Sequence, residues 1–386
     1  MKILFCSPAP LIKELGAPKI WIELAEEMEQ LGWECKTISL QQLATIPKHL
    51  KNHQLSWQLI FSEALRQYLR EHAAEYDVID YDQSYLPYSR SEFHPRTLFV
   101  ARAALLVHHL EKINIPQPKT WKSKIRGLIK GKRDAIDKQK IAQLAHKTVI
   151  ESDLVNVANY DDKDELVRCG IPAEKIIVIP YGISRSRRPI FDGISLEVPG
   201  EPKVVFVGTF DYRKGASDFP SIVENICDRI PNVTFRLLGT AGLFQTKEKV
   251  LSFFPHELKE RIEVIPRFNA QELPELLKSC SVGIFPSYLE SFGFGVLEML
   301  AASIPVIAYN APGPPMMLPS EYLVAPGDTE SMSAKVIDLL KDKSKLAQAR
   351  VWAKERSQKF CWQEIAKHTS QTYLEYWQRK QASLNR

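Results

Sequence analysis

The chain has 386 residues, 45% hydrophobic, 10% aromatic and 25% charged, and 51 Lys and Arg against 46 Asp and Glu leave a formal net charge of +5. That length predicts two domains, and that balance an ordinary soluble globular enzyme, which excludes a collagen, a coiled coil, a disulfide miniprotein and a wholly disordered chain. So small a net charge does not imply a nucleic-acid partner, and no RNP, KH or zinc-knuckle pattern occurs. The six cysteines (Cys6, Cys35, Cys169, Cys227, Cys280, Cys361) contain no CxxC pair. Each lies in or beside an apolar stretch, as expected of reduced thiols in a cytoplasmic core.

In chain order, Met1–Pro8 is too short for the apolar core of a signal peptide, roughly 7–15 residues, and Lys2–Ser7 reads as a first buried strand. A loop with Gly16 leads to a helix with Ile20, Leu24, Met28 and Leu31 on one stripe, and Gly32 is its stop. Further strands are predicted at Cys35–Ser39, Val78–Tyr81, Leu98–Ala101, Thr148–Ile150 and Ile176–Ile179. After an aperiodic segment from Tyr181 to Pro202 the theme repeats, with strands at Val204–Val207, Thr234–Leu238, Ile262–Ile265, Val282–Phe285 and Val306–Ala308. Short β-branched runs alternating with helical patterns argue for parallel α/β architecture in two Rossmann-like sets. Met299–Ser320 is uncharged and as long as a membrane span, but Pro305, Pro312, Pro314, Pro315 and Pro319 break it, so no span is expected.

Basic charge is concentrated in Pro118–Lys147, where ten Lys and Arg stand against Asp134 and Asp137. Trp121, Ile125, Leu128 and Ile129 interleave with the cations. This pattern is read either as a solvated surface helix or mobile loop, or as an interfacial helix drawn to anionic lipid.

The most informative stretch runs from Phe285 to Met299. Glu290 and Glu298 stand eight positions apart, a spacing that Glu26/Glu34 and Glu63/Glu71 share. Context separates them. Glu290 follows a buried strand and a Pro286-Ser287 turn, and a helix start with Gly293 and Gly295 intervenes before Glu298. Strand, loop and glycine-containing helix start is the geometry in which backbone N–H groups face an anion. Together with Ala301-Ala302, Pro305-Val306-Ile307-Ala308, Val204–Gly215, Leu237-Leu238-Gly239 and Glu174–Ile183, this stretch resembles the retaining glycosyltransferases of family 4, with their E-x7-E motif and GT-B fold.

The resemblance implies two Rossmann-like domains facing a central cleft. An acceptor-binding domain of 1–183 would be completed by a C-terminal helix, 362–386, crossing back to it; 184–202 would be a linker and 203–361 the nucleotide-sugar donor domain. It implies metal-independent retaining transfer of a hexose-type sugar to a glycan or lipid-linked acceptor, with a nucleotide-diphosphate sugar as co-substrate and no other cofactor. Lys214 and Arg213 would stabilise the leaving diphosphate, Glu290 would hold the transferred sugar and Glu298 the ribose. Gly16, Gly208, Gly239, Phe292, Gly293 and Phe294 would cradle the donor, and Arg267-Phe268 would lie against the nucleobase. No strong protein base is implied, because the diphosphate itself accepts the acceptor's proton. Thr209 stands where the family commonly has arginine, Gly16-Ala17 where it has paired glycines, and Asp82 and Arg102 where it has histidines. Asp82 is therefore a further catalytic candidate. The implied location is cytoplasmic, peripheral on the membrane face if Pro118–Lys147 binds lipid. A non-catalytic GT-B relative that binds a sugar nucleotide or a polymer partner stays open. Asp80-Tyr81-Asp82 and Asp162-Lys163-Asp164 also match D-x-D, by which metal-dependent GT-A transferases hold an ion, but so short a pattern recurs by chance.

Overall fold

The computed structural model describes residues 1–12, 16–50, 53–110, 112–116 and 121–385, apart from the side chains of 16–17 and 121–135. The chain divides into two compact units, Met1–Lys112 with Lys119–Tyr181 and Trp362–Arg386, and Gly182–Cys361 with Ile113–Pro118.

In the first unit, β1 (Lys2–Ser7), β2 (Glu34–Ser39), β3 (Val78–Asp82), β4 (Leu98–Arg102), β5 (Leu154–Val157) and β6 (Ile176–Val178) form a parallel sheet in the order β2-β1-β3-β4-β5-β6. Its central strands β3, β4 and β5 are buried along their whole length, as parallel strands covered on both faces must be. Its helices include α1 (Gly16–Gln30), α2 (Gln54–His72), α3 (Trp121–Glu151) and α4 (Tyr160–Arg168). Phe61, Leu65 and Leu69 repeat every four residues on α2 and pack with Ile79, Tyr81 and Phe99.

Two expectations need correction. Thr148–Ile150 is not a strand but the last turn of α3. The stripe Ile141, Ala145 and Val149 is buried, whereas Ile150 is 51% exposed, so helical period governs this segment. The strand comes later, at Leu154–Val157, where polar Asn156 interrupts the apolar run and hides it. Leu31 lies beyond the end of α1 and is exposed, while Ile20, Leu24 and Met28 are buried as the stripe requires.

In the second unit, β7 (Lys203–Val207), β8 (Thr234–Leu238), β9 (Ile262–Ile265), β10 (Val282–Phe285), β11 (Val306–Tyr309) and β12 (Leu323–Val324) form another parallel sheet, ordered β12-β11-β10-β7-β8-β9. Its helices include α5 (Arg188–Asp192), which falls inside the stretch read as aperiodic, and then α6 (Phe219–Cys227), α7 (Phe294–Ala301), α8 (Thr329–Lys341) and α9 (Lys343–Gln358). Strand order reverses between β7 and β10. In open parallel sheets that reversal is where the loops leaving the strands part and a ligand binds.

The last helix, α10 (Trp362–Leu384), belongs to the first unit, against α1 and β4. Its inward residues are Trp362, Ile365, Ala366, Thr369 and Tyr373. The Trp362 indole donates to Glu23 at 2.6 Å, and the Trp33 indole donates to Ser370 at 2.7 Å. Deepest of all, the Tyr373 hydroxyl donates to Asp80 (2.6 Å) and accepts from Arg102 (2.9 Å) and Asn156 (3.0 Å). A helix at the far end of the chain thus reaches the centre of the first sheet.

Candidate active site

The loops after β7 and β10 meet at the strand-order reversal of the second unit. Asp211 caps the short turn Tyr212–Lys214 by accepting from the Lys214 amide at 3.0 Å. Gly215 closes that turn at φ +83°, where a Cβ would collide with the Pro286 carbonyl oxygen. Only glycine lets the two loops lie so close.

This contact presents Arg213 and Lys214 to the loop that follows β10. One oxygen of Glu290, Oε1, lies 2.5 Å from the Lys214 ammonium and 3.0 Å from the Arg213 guanidinium, and accepts from the Ser287 hydroxyl at 2.6 Å. Arg213 also donates to the Leu289 carbonyl at 2.6 Å. Burial works against the Glu290 charge, but Lys214 and Arg213 outweigh it and hold the carboxyl below its ordinary value. Burial lowers Lys214 in turn, against the opposing pull of Glu290. The ammonium also lies 5.0 Å from the Phe285 ring centroid.

The chain then turns through Ser291, Phe292 and Gly293 (φ +90°) into α7. A Cβ on Gly295 would collide with the Val207 carbonyl oxygen, so the start of α7 is pressed onto the end of β7. The positive end of that helix therefore lies beside the turn that carries Arg213 and Lys214, a combination suited to an anion. Phe292 packs edge-on to Phe294 at 5.6 Å. Gly208 and Gly239 end β7 and β8, and the Phe268 ring lies against Gly239. Arg267 is exposed and donates to Gln245 at 3.2 Å.

Glu298 lies in the second turn of α7, on a helix otherwise lined by buried apolar residues. Its Oε1 accepts from Arg187 at 2.7 Å. Sequence reading missed Arg187; the one signal was the basic run Arg185-Ser186-Arg187-Arg188 inside an assumed linker. Thr209, at the family's arginine position, donates to Asp211 at 2.8 Å and so braces the cap of the Lys214 turn.

The structure thus gathers Arg213, Lys214, Glu290, Phe292, Gly293 and Phe294 with Gly208 around the end of β7, and Gly239 and Phe268 at the neighbouring strand end, while Glu298 sits one turn further along α7 on Arg187. Asp82 belongs to the other unit, at the end of β3, where it accepts from the Ser84 amide at 2.9 Å. Gly16 lies outside the residues whose surroundings are described. Asp80 cannot serve as half of a D-x-D metal ligand, because Arg102, Tyr373 and Trp21 occupy its oxygens. Among the described residues, no three His, Cys, Asp or Glu are grouped to hold a metal ion.

Burial raises the Asp82 carboxyl to about 6. A carboxyl raised by folding favours the fold when protonated, and that contribution fades as pH climbs from about 4 through 6. Asp82→Asn, which stays neutral, should therefore gain stability relative to the parent between pH 4 and pH 7, by up to about 3 kcal/mol. Urea unfolding at both pH values measures this; a gap that is constant or shrinks on raising the pH refutes it.

Two Rossmann-like units, the first completed by a returning C-terminal helix, make the GT-B fold. The structure resembles that of sucrose-phosphate synthase from Thermosynechococcus elongatus, with a TM-score of 0.70 over 97% of this chain and 98% of that one at 19% identity. It also resembles Anabaena HepE, solved in complex with UDP and glucose, with a TM-score of 0.62 over 96% of this chain and 99% of that one at 19% identity. At such identities these likenesses are of fold. Residues 188–356, less than half of the chain, match the model of the family "Glycosyl transferases group 1". The sulfoquinovosyl transferase SQD2 of Arabidopsis thaliana is 24% identical over 192 residues, 47% of this chain. The chain covers only 36% of that relative's own length.

Proposed function

We propose that this chain is a retaining glycosyltransferase of the family 4 type, moving a hexose-type sugar from a nucleotide-diphosphate donor to a glycan or lipid-linked acceptor. The observation that carries the reading is the pairing of Lys214 and Arg213 with Glu290 beside the start of α7, at the strand-order reversal. As the sugar leaves, negative charge gathers on the diphosphate, and fixed cations and amide donors stabilise it without reorganising. Two cations and a helix N-terminus supply that charge from the protein, which supports transfer without a metal ion. Glu290, with Oε1 held by Lys214, Arg213 and Ser287, accepts from the hydroxyls of the transferred sugar, and Glu298 accepts from the ribose. Phe292, Gly293 and Phe294 offer backbone amides to the diphosphate, and Gly208, Gly239, Arg267 and Phe268 flank the nucleoside, with Gly16 on the donor from the first unit. No strong protein base is needed, since the departing diphosphate takes the acceptor's proton; Asp82, in the acceptor-binding unit, is the candidate to assist it. The UDP and glucose held by HepE support a nucleotide-sugar donor, and the SQD2 name supports glycosyl transfer.

Thermal shift of the purified protein with UDP, GDP, ADP and their sugars is the test, because a ligand at 100 times its Kd stabilises by about 2.7 kcal/mol. One nucleotide family is expected to raise Tm, and its sugar to be slowly hydrolysed without acceptor. Binding without hydrolysis or transfer would favour the non-catalytic reading, which the bracing role of Thr209 in place of a cation keeps in view. No shift with any nucleotide overturns both.

The charged segment Pro118–Lys147 lies largely outside the described side chains, so its role rests on sequence. No described helix is long and apolar enough to cross a membrane. We place the protein in the cytoplasm, docking reversibly on anionic lipid through this segment, with Trp121 and Leu128 at the interface. Cosedimentation with anionic vesicles should exceed that with neutral ones and fall above about 0.15 M salt. Equal recovery on both, or no change on reversing Lys130, Lys132 and Arg133 to Glu, refutes it.

A further inference from the structure

We infer that Arg187 is a positioning residue for the donor's ribose, acting through Glu298; this rests on the reading that Glu298 accepts from the ribose hydroxyls. Glu298 and Arg187 are 11% and 8% exposed at their side chains, and both belong to the second unit. A carboxylate on an apolar helix is costly to keep ionised without an opposite charge. It also has three side-chain torsions to fix before it can receive two hydroxyls in a set direction. Arg187 answers both needs. It delivers one guanidinium N–H to Oε1 at 2.7 Å, holding the charge and fixing that end of the carboxylate.

Arg187 is itself held in place. Its guanidinium lies 5.8 Å from the Phe191 ring centroid. The backbone before it is tied down where the Ile183 amide donates to the Phe360 carbonyl at 3.0 Å, and the next residue, Arg188, donates to the same carbonyl at 3.1 Å. The Arg187 amide donates to Ser184 at 3.1 Å, closing a turn immediately before α5. A segment that sequence reading treated as a linker thus places one guanidinium with a fixed backbone beneath a buried carboxylate.

The consequence is specific to the sugar of the nucleotide. Wild-type protein should bind whichever of UDP, GDP and ADP stabilises it at least about tenfold more tightly than the matching 2′-deoxynucleoside diphosphate, since a hydrogen bond to a charged group is involved. Arg187→Gln keeps a donor in place but removes the charge, and should lower that ribo-to-deoxy ratio by at least about threefold. Arg187→Lys should restore most of it. Both nucleotides are titrated on the same folded variant by calorimetry, so a general loss of stability does not move the ratio.

Glu298→Gln separates the two layers of the inference. If it collapses the ratio while Arg187→Gln leaves the ratio at the wild-type value, Arg187 is not the positioning residue and the ribose assignment stands. An equal loss of affinity for both nucleotides in Arg187→Gln also removes Arg187 from that role, because it would mean contact with the diphosphate. If wild-type protein shows no ratio, or Glu298→Gln keeps it, the ribose assignment fails and the role of Arg187 fails with it.

Discussion

Lys214→Ala is expected to lower donor turnover by roughly 10²-fold or more while leaving the fold intact; Glu298→Ala should lower turnover as far but also cost stability, because it removes the ion-pair partner of the buried Arg187. The fold should survive because Glu290 keeps Arg213 and Ser287 when the ammonium is removed. Under the proposed function, what is lost is a largely buried cation that meets charge developing only as the sugar leaves. A contact made mainly in the transition state lowers kcat and kcat/KM together, so both should fall. Glu26→Ala and Glu63→Ala, from the two other glutamate pairs of the same spacing, serve as controls and should turn over nearly as the parent does. Glu63 is spent on Tyr88, Arg66 and Gln67 at the surface of the first unit. If the controls lose as much activity as Lys214→Ala, the donor site has been placed wrongly.

Asp80→Ala should destabilise the first unit by about 3–5 kcal/mol, the ordinary cost of breaking a buried ion pair by removing one partner. Arg102 donates from Nε and Nη2 to Asp80 at 3.0 and 2.6 Å, and both side chains are shielded from solvent. Burial opposes the Arg102 charge, yet Asp80 outweighs it and keeps the guanidinium above its ordinary value. Removing the carboxylate would strand that charge and take acceptors from Tyr373 and Trp21 as well. Tyr373→Phe should cost less, about 1–2 kcal/mol, since the ion pair survives. Urea unfolding followed by tryptophan fluorescence, with Trp21, Trp33 and Trp362 all in this unit, measures both. A loss below about 1 kcal/mol in Asp80→Ala would mean that water or a neighbouring group replaces Asp80.

Most strands could be read from the sequence because parallel strands buried on both faces are written as short β-branched runs. The failures have two causes. In α3, Thr148–Ile150 has the composition of a strand, but the stripe Ile141–Ala145–Val149 has helical period, and tertiary packing follows the period. In β5 the reverse holds: Asn156 breaks an apolar run because its amide is needed by Tyr373, 217 positions away. No local window can contain such a partner. The candidate site shows the same limit. Glu290, Glu298 and the glycines lie in one stretch and could be found together, and Arg213 and Lys214 lie in a second, Val204–Gly215, that the family resemblance picks out. Arg187 could not be found, because nothing near it in sequence records that a carboxylate 111 positions later would lie above it.

That the first unit is finished by α10 has a consequence for the order in which the protein is made. Translation delivers β1 to β6 first, then all of β7 to β12, and only afterwards the helix that carries Trp362 and Tyr373. The later-made unit can therefore close on its own while the earlier-made one waits on the ribosome. During that wait Asp80, Arg102 and Asn156 lack their tyrosine, and the surface meant for Trp362 and Ile365 is open to water or to other chains. Synthesis rate through the second unit thus sets how long the first is exposed, and a stall before Trp362 would endanger the half of the molecule already synthesised.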